Sequence, residues 1–133
     1  MTTTVQRVVM VFGIIFILIG LLGFFTTGLS MAGHMDTAPR LLNIFPVNAL
    51  HNAVHLLFGI WGVWAARRFS AAKAYAQISG VLYLVLAALA FLTPDLGGLL
   101  PIGGADIVLH AILGAVLAFF GFTAEAPAAP TTA

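Results

Sequence analysis

Four long apolar segments alternate with short polar ones along the 133 residues of the chain. The apolar segments cover about residues 8–25, 48–66, 74–92 and 105–122. A bilayer core is crossed by roughly 20 consecutive apolar residues in helical form, so each segment predicts one transmembrane helix. The pattern therefore predicts an all-α integral membrane protein, a four-transmembrane-helix bundle forming one unit over residues 1–123.

The composition excludes a soluble domain. Hydrophobic residues make up 62% of the chain and charged residues only 7%, whereas soluble domains carry roughly 25% charged residues. The chain has no cysteine, which excludes disulfides, thiolate metal sites and iron–sulfur clusters. The last segment, residues 124–133, is rich in alanine, proline and threonine, a composition typical of a disordered tail.

Two polar stretches, residues 45–59 and 100–114, carry the same order of proline, ionisable residue, histidine and glycine. A constant offset of 55 relates the following pairs: Pro46 and Pro101, His51 and Asp106, His55 and His110, and Gly59 and Gly114. A weaker similarity relates the first apolar segment to the third. We therefore predict that the bundle is built from two helix–loop–helix repeats, which cross the membrane in the same, parallel sense.

Positive charge predicts the orientation of the bundle. Arg7 precedes the first helix, and Arg67, Arg68 and Lys73 lie between the second and third helices. Short cytoplasmic flanks of membrane helices carry an excess of lysine and arginine. Both termini are therefore predicted on the cytoplasmic side, with the long loop before the second helix outside.

Ionisable residues lie on one face of the second helix and one face of the fourth. His51 and His55 are four residues apart, as are Asp106 and His110, and residues at this spacing share a helix face. Ionisable side chains in a membrane turn toward the bundle interior rather than the lipid. We therefore expect these four residues to form one polar cluster in the outer half of the bundle.

Glycines extend both polar faces. Gly59 and Gly62 follow the histidines of the second helix, and Gly114 follows the histidine of the fourth. Small residues let membrane helices approach each other closely. We expect helix-packing contacts at these glycines that bring the second and fourth helices together.

The start of each polar helix also has a structural interpretation. Asn48 precedes the second helix and is a residue type that caps helix N-termini. Asp106 lies in the first turn of the fourth helix, where a carboxylate interacts favourably with the helix dipole. Both residues are therefore expected to stabilise helix ends.

Three functions fit the polar cluster. The favoured one is structural: neutral histidines hydrogen-bond across the helices, with no cofactor, in a protein that is not an enzyme. The second is ligation, either of a divalent metal by His51, His55, Asp106 and His110, or of haem b by His55 and His110 as axial ligands. The third is a small proton-coupled transporter, because histidine titrates near neutral pH.

The remaining features indicate the partners. A net charge of +1 argues neither for nor against an anionic partner. The lack of a basic run argues against nucleic acid, and no phosphate-binding glycine loop occurs. The expected partners are the lipid bilayer and other membrane protein subunits, with bound lipids or pigments at the periphery. By analogy with small helical subunits of respiratory and photosynthetic complexes, the predicted role is that of an accessory subunit.

The proline–asparagine–histidine run at residues 43–59 resembles the bacterial four-helix membrane proteins grouped as the DUF4383 domain family. The resemblance covers about residues 7–122 and includes the matching stretch of the fourth helix. It implies the four-helix fold and a bacterial inner membrane location, and it implies no activity. Ile107 stands where the pattern leads us to expect a polar residue, so a site needing a symmetric partner for Asn52 is not supported.

Overall fold

The computed structural model describes residues 2–128 of the chain. These residues form four α-helices and one short pair of strands: α1 Thr4–Thr27, β1 Arg40–Leu41, β2 Phe45–Pro46, α2 Ala49–Ala65, α3 Phe69–Leu92 and α4 Ala105–Thr123. The predicted all-α class is confirmed. Within the tail predicted to be disordered, residues 124–128 belong to no helix or strand, and residues 129–133 lie outside the described part.

Two helices begin earlier than their apolar segments predict. α1 begins at Thr4 because Thr3 and Gln6 form a capping box, in which each side chain accepts a hydrogen bond from the other's backbone N–H. α3 begins at Phe69, so that Lys73 lies on the helix and not in a loop. The first turns of α3 are rich in alanine, the residue with the highest helix propensity. Hydropathy alone misses both starts, because capping and helix propensity do not depend on it.

Among the described residues, three helices are long and apolar enough to cross a membrane: α1, α3 and α4, with mean hydropathies of 3.0, 1.9 and 2.0. α2 is not among them, although the sequence predicts a span there. It has 17 residues, which at 1.5 Å per residue make a helix of about 26 Å. A typical hydrocarbon core is roughly 30 Å thick, so α2 falls short of it.

The helices pack closely as two antiparallel pairs, α1 with α2 and α3 with α4. In the first pair, a β-carbon on Gly59 would lie 2.6 Å from the backbone nitrogen of Ile17 and 2.8 Å from the carbonyl oxygen of Gly13. In the second pair, a β-carbon on Gly114 would lie 2.8 Å from the backbone nitrogen of Leu84. Backbone meets backbone at both positions, and only glycine leaves room for this.

The glycines therefore pack the helices differently from the arrangement expected. Gly59 faces α1, Gly114 faces α3, and Gly62 lies against Gly13 of α1 and the ring of Tyr75 in α3. Over the described chain, the backbones of α2 and α4 do not come within 8 Å of each other, measured between Cα atoms. The expectation that these glycines join α2 to α4 is wrong, because the small residues that complement them lie on α1 and α3.

Apolar side chains form both the interior and the outer surface. Phe16, Tyr75 and Leu117 are fully buried in the core. Large apolar side chains are also exposed on all four helices, including Leu18 on α1, Leu57 on α2, Val85 on α3 and Phe119 on α4. Soluble monomers rarely expose so much contiguous apolar surface. The exterior of the bundle thus fits a surrounding of lipid.

The short strands organise the loop before α2. β1 and β2 are antiparallel and pair Arg40 with Pro46 and Leu41 with Phe45. The turn between them contains Asn43 with a φ of 59°, a left-handed conformation that asparagine tolerates better than most residues. The sequence analysis did not predict this hairpin. It leads the chain directly into the start of α2.

Candidate functional site

The ionisable residues of the two polar faces come together between α2 and α4. The cluster of His51, His55, Asp106 and His110 is buried, and no member is more than 5% exposed. His51 and Asp106 lie in the first turns of their helices, and His55 and His110 lie one turn further in. Side chains fill the gap between the two helices, whose backbones are not in contact.

Each of the three buried histidines donates a hydrogen bond from Nδ1 to a backbone carbonyl oxygen. The acceptor of His55 is the carbonyl of His51 at 3.0 Å, and that of His110 is the carbonyl of Asp106 at 2.8 Å. His51 donates to the carbonyl of Pro101 at 3.1 Å. A carbonyl oxygen only accepts, so Nδ1 carries the proton in all three rings. In the neutral form of each ring, Nε2 therefore presents a lone pair.

Two hydrogen bonds connect α2 to the loop between α3 and α4. One is the bond from His51 to the carbonyl of Pro101. In the other, the side-chain amide of Asn48 donates to the carbonyl of Leu99 at 2.9 Å. The Oδ1 atom of Asn48 also accepts from the backbone N–H of His51 at 2.9 Å, which confirms Asn48 as the N-cap of α2. One buried asparagine thus caps a helix and ties the two helix pairs together.

The carboxylate of Asp106 has an unsatisfied oxygen. Oδ2 is buried without a hydrogen-bond partner among the described residues, although Nδ1 of His110 lies 3.2 Å away. The N–H of His110 points to the backbone carbonyl of Asp106 instead. Nε2 of His51 lies 3.8 Å from the same oxygen and carries a lone pair. Two buried atoms that can each accept a hydrogen bond therefore lie 3.8 Å apart without a hydrogen bond between them.

Three of the four predicted metal ligands form a compact group. Within the described chain, one donor atom from each of His51, Asp106 and His110 lies within 4.8 Å of the other two. His55 stands outside this group. Its ring centroid lies 4.7 Å from that of His51 and 5.5 Å from that of Phe16. Chemically, the group offers nitrogen lone pairs and a carboxylate oxygen, which are metal ligands or hydrogen-bond acceptors.

The space beside the histidines does not fit a haem. The cavity that His51, His55 and His110 line has a volume of about 30 Å³, which corresponds to about one water molecule. Pockets that hold drug-sized ligands start at roughly 300 Å³. The ring of Tyr83 stacks on His110 with centroids 5.0 Å apart and packs closely beside this cavity. The donor residues are present, but the volume is too small by a factor of about ten.

Sequence reasoning missed Tyr83, and it missed a polar chain that joins α2 to α1. The side-chain amide of Asn52 donates to Oγ1 of Thr27 at 3.1 Å, and this hydroxyl donates to the carbonyl of Gly23 at 2.9 Å. The sequence did indicate that such bonds exist, because polar groups within apolar helices need hydrogen-bond partners in a membrane. The sequence could not say which pairs would meet.

The comparisons place the chain in a family. The model of one family, the domain of unknown function DUF4383, matches residues 6–123, which is most of the chain. The chain belongs to the DUF4383 family. This membership confirms the resemblance of the run at residues 43–59, and the match includes the whole polar cluster of this DUF4383 protein. No curated protein and no solved structure matches the chain.

Proposed function

We propose that this DUF4383 protein is a non-catalytic integral membrane protein and an accessory subunit of a larger membrane complex. The observation that carries the proposal is that the polar cluster is bonded within the protein and leaves no room for a substrate. Its histidines bond to backbone carbonyls, and the adjoining cavity of about 30 Å³ is far smaller than a pocket for an organic substrate. The bond from His51 to the carbonyl of Pro101 links α2 to the loop before α4, and such bonds help to determine which membrane helices pair.

The proposal places all four helices across a bacterial inner membrane, with both termini in the cytoplasm. α2 is short, but Leu57, Ile60 and Trp64 give it an exposed apolar face. A bilayer accommodates a short span by local thinning, or by flanking side chains that reach toward the interface. Arg67 and Arg68 directly follow α2, as the positive-inside rule requires for a cytoplasmic end.

The two helix pairs are further proposed to be repeats in parallel orientation. Equivalent contacts support this arrangement: Gly13 meets Gly59 in the first pair, and Gly80 meets Gly114 in the second. In both α2 and α4, a histidine donates to the carbonyl four residues before it. Repeats of two helices each cross the membrane in the same sense and are related by an axis along the membrane normal.

Proton transport has less support. A proton path through a membrane needs a continuous series of polar groups or water. Inward from the cluster, the buried side chains include the aromatic and aliphatic groups of Phe16 and Leu117. The hydroxyl of Ser79 is buried there without a hydrogen-bond partner among the described residues. Among residues 2–128, these side chains do not provide the continuous polar series that a proton path needs.

Single cysteines test the topology, because the chain has no cysteine of its own. In intact cells we expect a membrane-impermeant maleimide to label cysteines at Asp36 and Leu99, and to label those at Thr2 and Arg67 only after permeabilisation. If α2 did not cross the membrane, Arg67 and Asp36 would lie on the same side. Labelling of the cysteine at Arg67 from outside would therefore contradict the four-span topology.

Purification at native expression levels tests the role as a subunit. We expect the tagged protein, extracted from its own membranes in mild detergent, to migrate as a larger species on native gels. Cross-linking in cells followed by mass spectrometry should identify the same membrane partners in stoichiometric amounts. Recovery of the isolated chain alone, in cells and after extraction, would contradict the proposal.

A further inference from the structure

The acidic and histidine side chains at the outer ends of α2 and α4 have the composition of a metal site. His51, Asp106 and His110 each offer one donor atom, and these atoms lie within 4.8 Å of one another. We infer that these three residues bind a divalent transition-metal ion of the zinc type. The ion would link the two helix pairs, because His51 belongs to α2 and the other two ligands belong to α4.

The unsatisfied oxygen of Asp106 is an independent observation that points to a cation. Asp106 is 3% exposed, and its Oδ2 has no hydrogen-bond partner in the part of the chain that the structure describes. On α2, Nε2 of His51 lies 3.8 Å from this oxygen and is also an acceptor. Burying a charged group without a partner is costly. A positive ion between the two atoms removes this cost and uses both lone pairs.

One of the two histidines, His51, is already oriented in the way that metal-binding histidines are. A ligating imidazole almost always donates its other ring N–H to a carboxylate, a backbone carbonyl or water. His51 donates Nδ1–H to the carbonyl of Pro101 and keeps a free lone pair on Nε2. In His110 the protonated Nδ1, which donates to the carbonyl of Asp106, is the ring nitrogen that lies 3.2 Å from Oδ2, so this ring has to reorient to bind an ion. These bonds select one tautomer and restrict ring rotation. The free Nε2 of His51 is thereby held 3.8 Å from the carboxylate oxygen before any ion binds.

The distances allow a small ion if the ligands close around it: the three donor atoms lie within 4.8 Å of one another and would have to approach by up to about 1.5 Å. Tetrahedral zinc with bonds of about 2.0–2.1 Å holds its ligand atoms roughly 3.3 Å apart. Nε2 of His51 and Oδ2 of Asp106 lie 3.8 Å apart, so they need to approach by about half an ångström. The cavity of about 30 Å³ beside His51 and His110 has room for one water molecule. This water would complete four-coordination.

The donor set selects the class of ion. Two imidazole nitrogens and one carboxylate oxygen suit zinc and neighbouring first-row metals, whereas magnesium and calcium prefer shells of oxygen. The first turns of α2 and α4 lie at the same end of the bundle. In the proposed topology this end is the outer one, so the ion would be taken up from the outside.

Zinc alone, titrated into the purified protein after treatment with a chelator, tests the inference. We expect one zinc ion per chain and a higher thermal unfolding temperature when it is bound. Asp106→Asn keeps the shape of the side chain and should weaken zinc binding roughly a hundredfold or more. Loss of a residue that only supports a ligand typically costs about 10–100-fold, so a larger loss marks Asp106 as a ligand itself. The matched control is His34→Gln, at a histidine whose side chain is 64% exposed, and it should bind zinc as the wild type does.

A measurement on the wild type keeps the test decisive if Asp106→Asn does not fold. X-ray absorption of the zinc-loaded protein should show nitrogen and oxygen neighbours at about 2.0 Å with scattering from two imidazoles. Absence of saturable one-to-one binding, or loss of binding in His34→Gln, would overturn the inference. So would an infrared signal of a protonated Asp106 carboxyl in the presence of equimolar zinc, because a proton would then fill the gap that we assign to the metal.

Discussion

The side-chain amide of Asn52 on α2 lies directly against Gly23 of α1, in the space that a β-carbon on Gly23 would occupy. The amide donates to Oγ1 of Thr27 at 3.1 Å, and this hydroxyl donates to the carbonyl of Gly23 at 2.9 Å. The missing side chain of one residue thus makes room for the buried polar group of another. This contact secures the first helix pair at the end where α1 stops and α2 begins.

Replacing Gly23 by alanine should therefore destabilise the protein. The added methyl group would overlap the amide of Asn52, and such overpacking costs about 1–3 kcal/mol. Reversible unfolding in detergent, followed by circular dichroism, measures this loss. In the Asn52→Ala background the same substitution should cost much less, because the space is then free. Equal costs in both backgrounds would contradict the contact, and Leu22→Ala on the exposed side of α1 is the control.

A β-branched residue at Gly114 should disrupt the second helix pair. Even a β-carbon there would lie 2.8 Å from the backbone nitrogen of Leu84 and 3.0 Å from the carbonyl of Gly80. We expect Gly114→Val to lower the free energy of unfolding by about 1–3 kcal/mol or more. The neighbouring Ala115 is exposed, so Ala115→Val tests the same change on the lipid face. Equal free energies of unfolding for the two variants would contradict the close packing at Gly114.

Asn48 should show two separable contributions to stability. Asn48→Ala removes the helix cap, worth about 0.5–2 kcal/mol, and also the hydrogen bond to the carbonyl of Leu99, worth about 1 kcal/mol. Asn48→Ser keeps a capping oxygen but does not reach Leu99. We expect its unfolding free energy to lie between those of the wild type and Asn48→Ala. Identical values for the two variants would mean that the cap contributes nothing.

Acid should weaken a contact between the loop before α2 and the loop between α3 and α4. His34 donates a hydrogen bond to Asp95 at 3.0 Å, and this bond, followed by those from the backbone of Gly98 and Gly97, lowers the pKa of the Asp95 carboxyl below its ordinary value of 3.8. The folded pKa lies below the unfolded one. The contribution to stability is therefore fully present above pH 3.8 and is lost as pH falls through the folded pKa.

The pH dependence of thermal unfolding tests this link between the loops. We expect Asp95→Asn to unfold at a lower temperature than the wild type near neutral pH, and the difference to vanish in strong acid. The effect should be small, because the side chain of His34 is 64% exposed and surface pairs are weak. Asp36→Asn, at an exposed carboxylate, is the control. A difference that persists unchanged into acid would show that the charge of Asp95 is not involved.

The sequence by itself determined the helices and the location of the polar cluster. Long apolar runs predict helices in a membrane because the backbone must satisfy its own hydrogen bonds there. The four-residue spacing of His51 and His55, and of Asp106 and His110, places each pair on one helix face. Asn48 was recognisable as a cap from its type and position. These features depend on neighbours along the chain, so they can be read without the fold.

Only the tertiary structure decided which faces meet. The glycine stripe on α2 faces α1 and that on α4 faces α3, so α2 and α4 face each other across a gap filled by side chains. The unsatisfied oxygen of Asp106 follows from this gap, since its distance to His51 depends on how far apart the two helices stand. Periodicity marks a face of a helix, but the packing of complementary surfaces selects the partner of that face. That selection involves residues distant in sequence, and no local pattern records it.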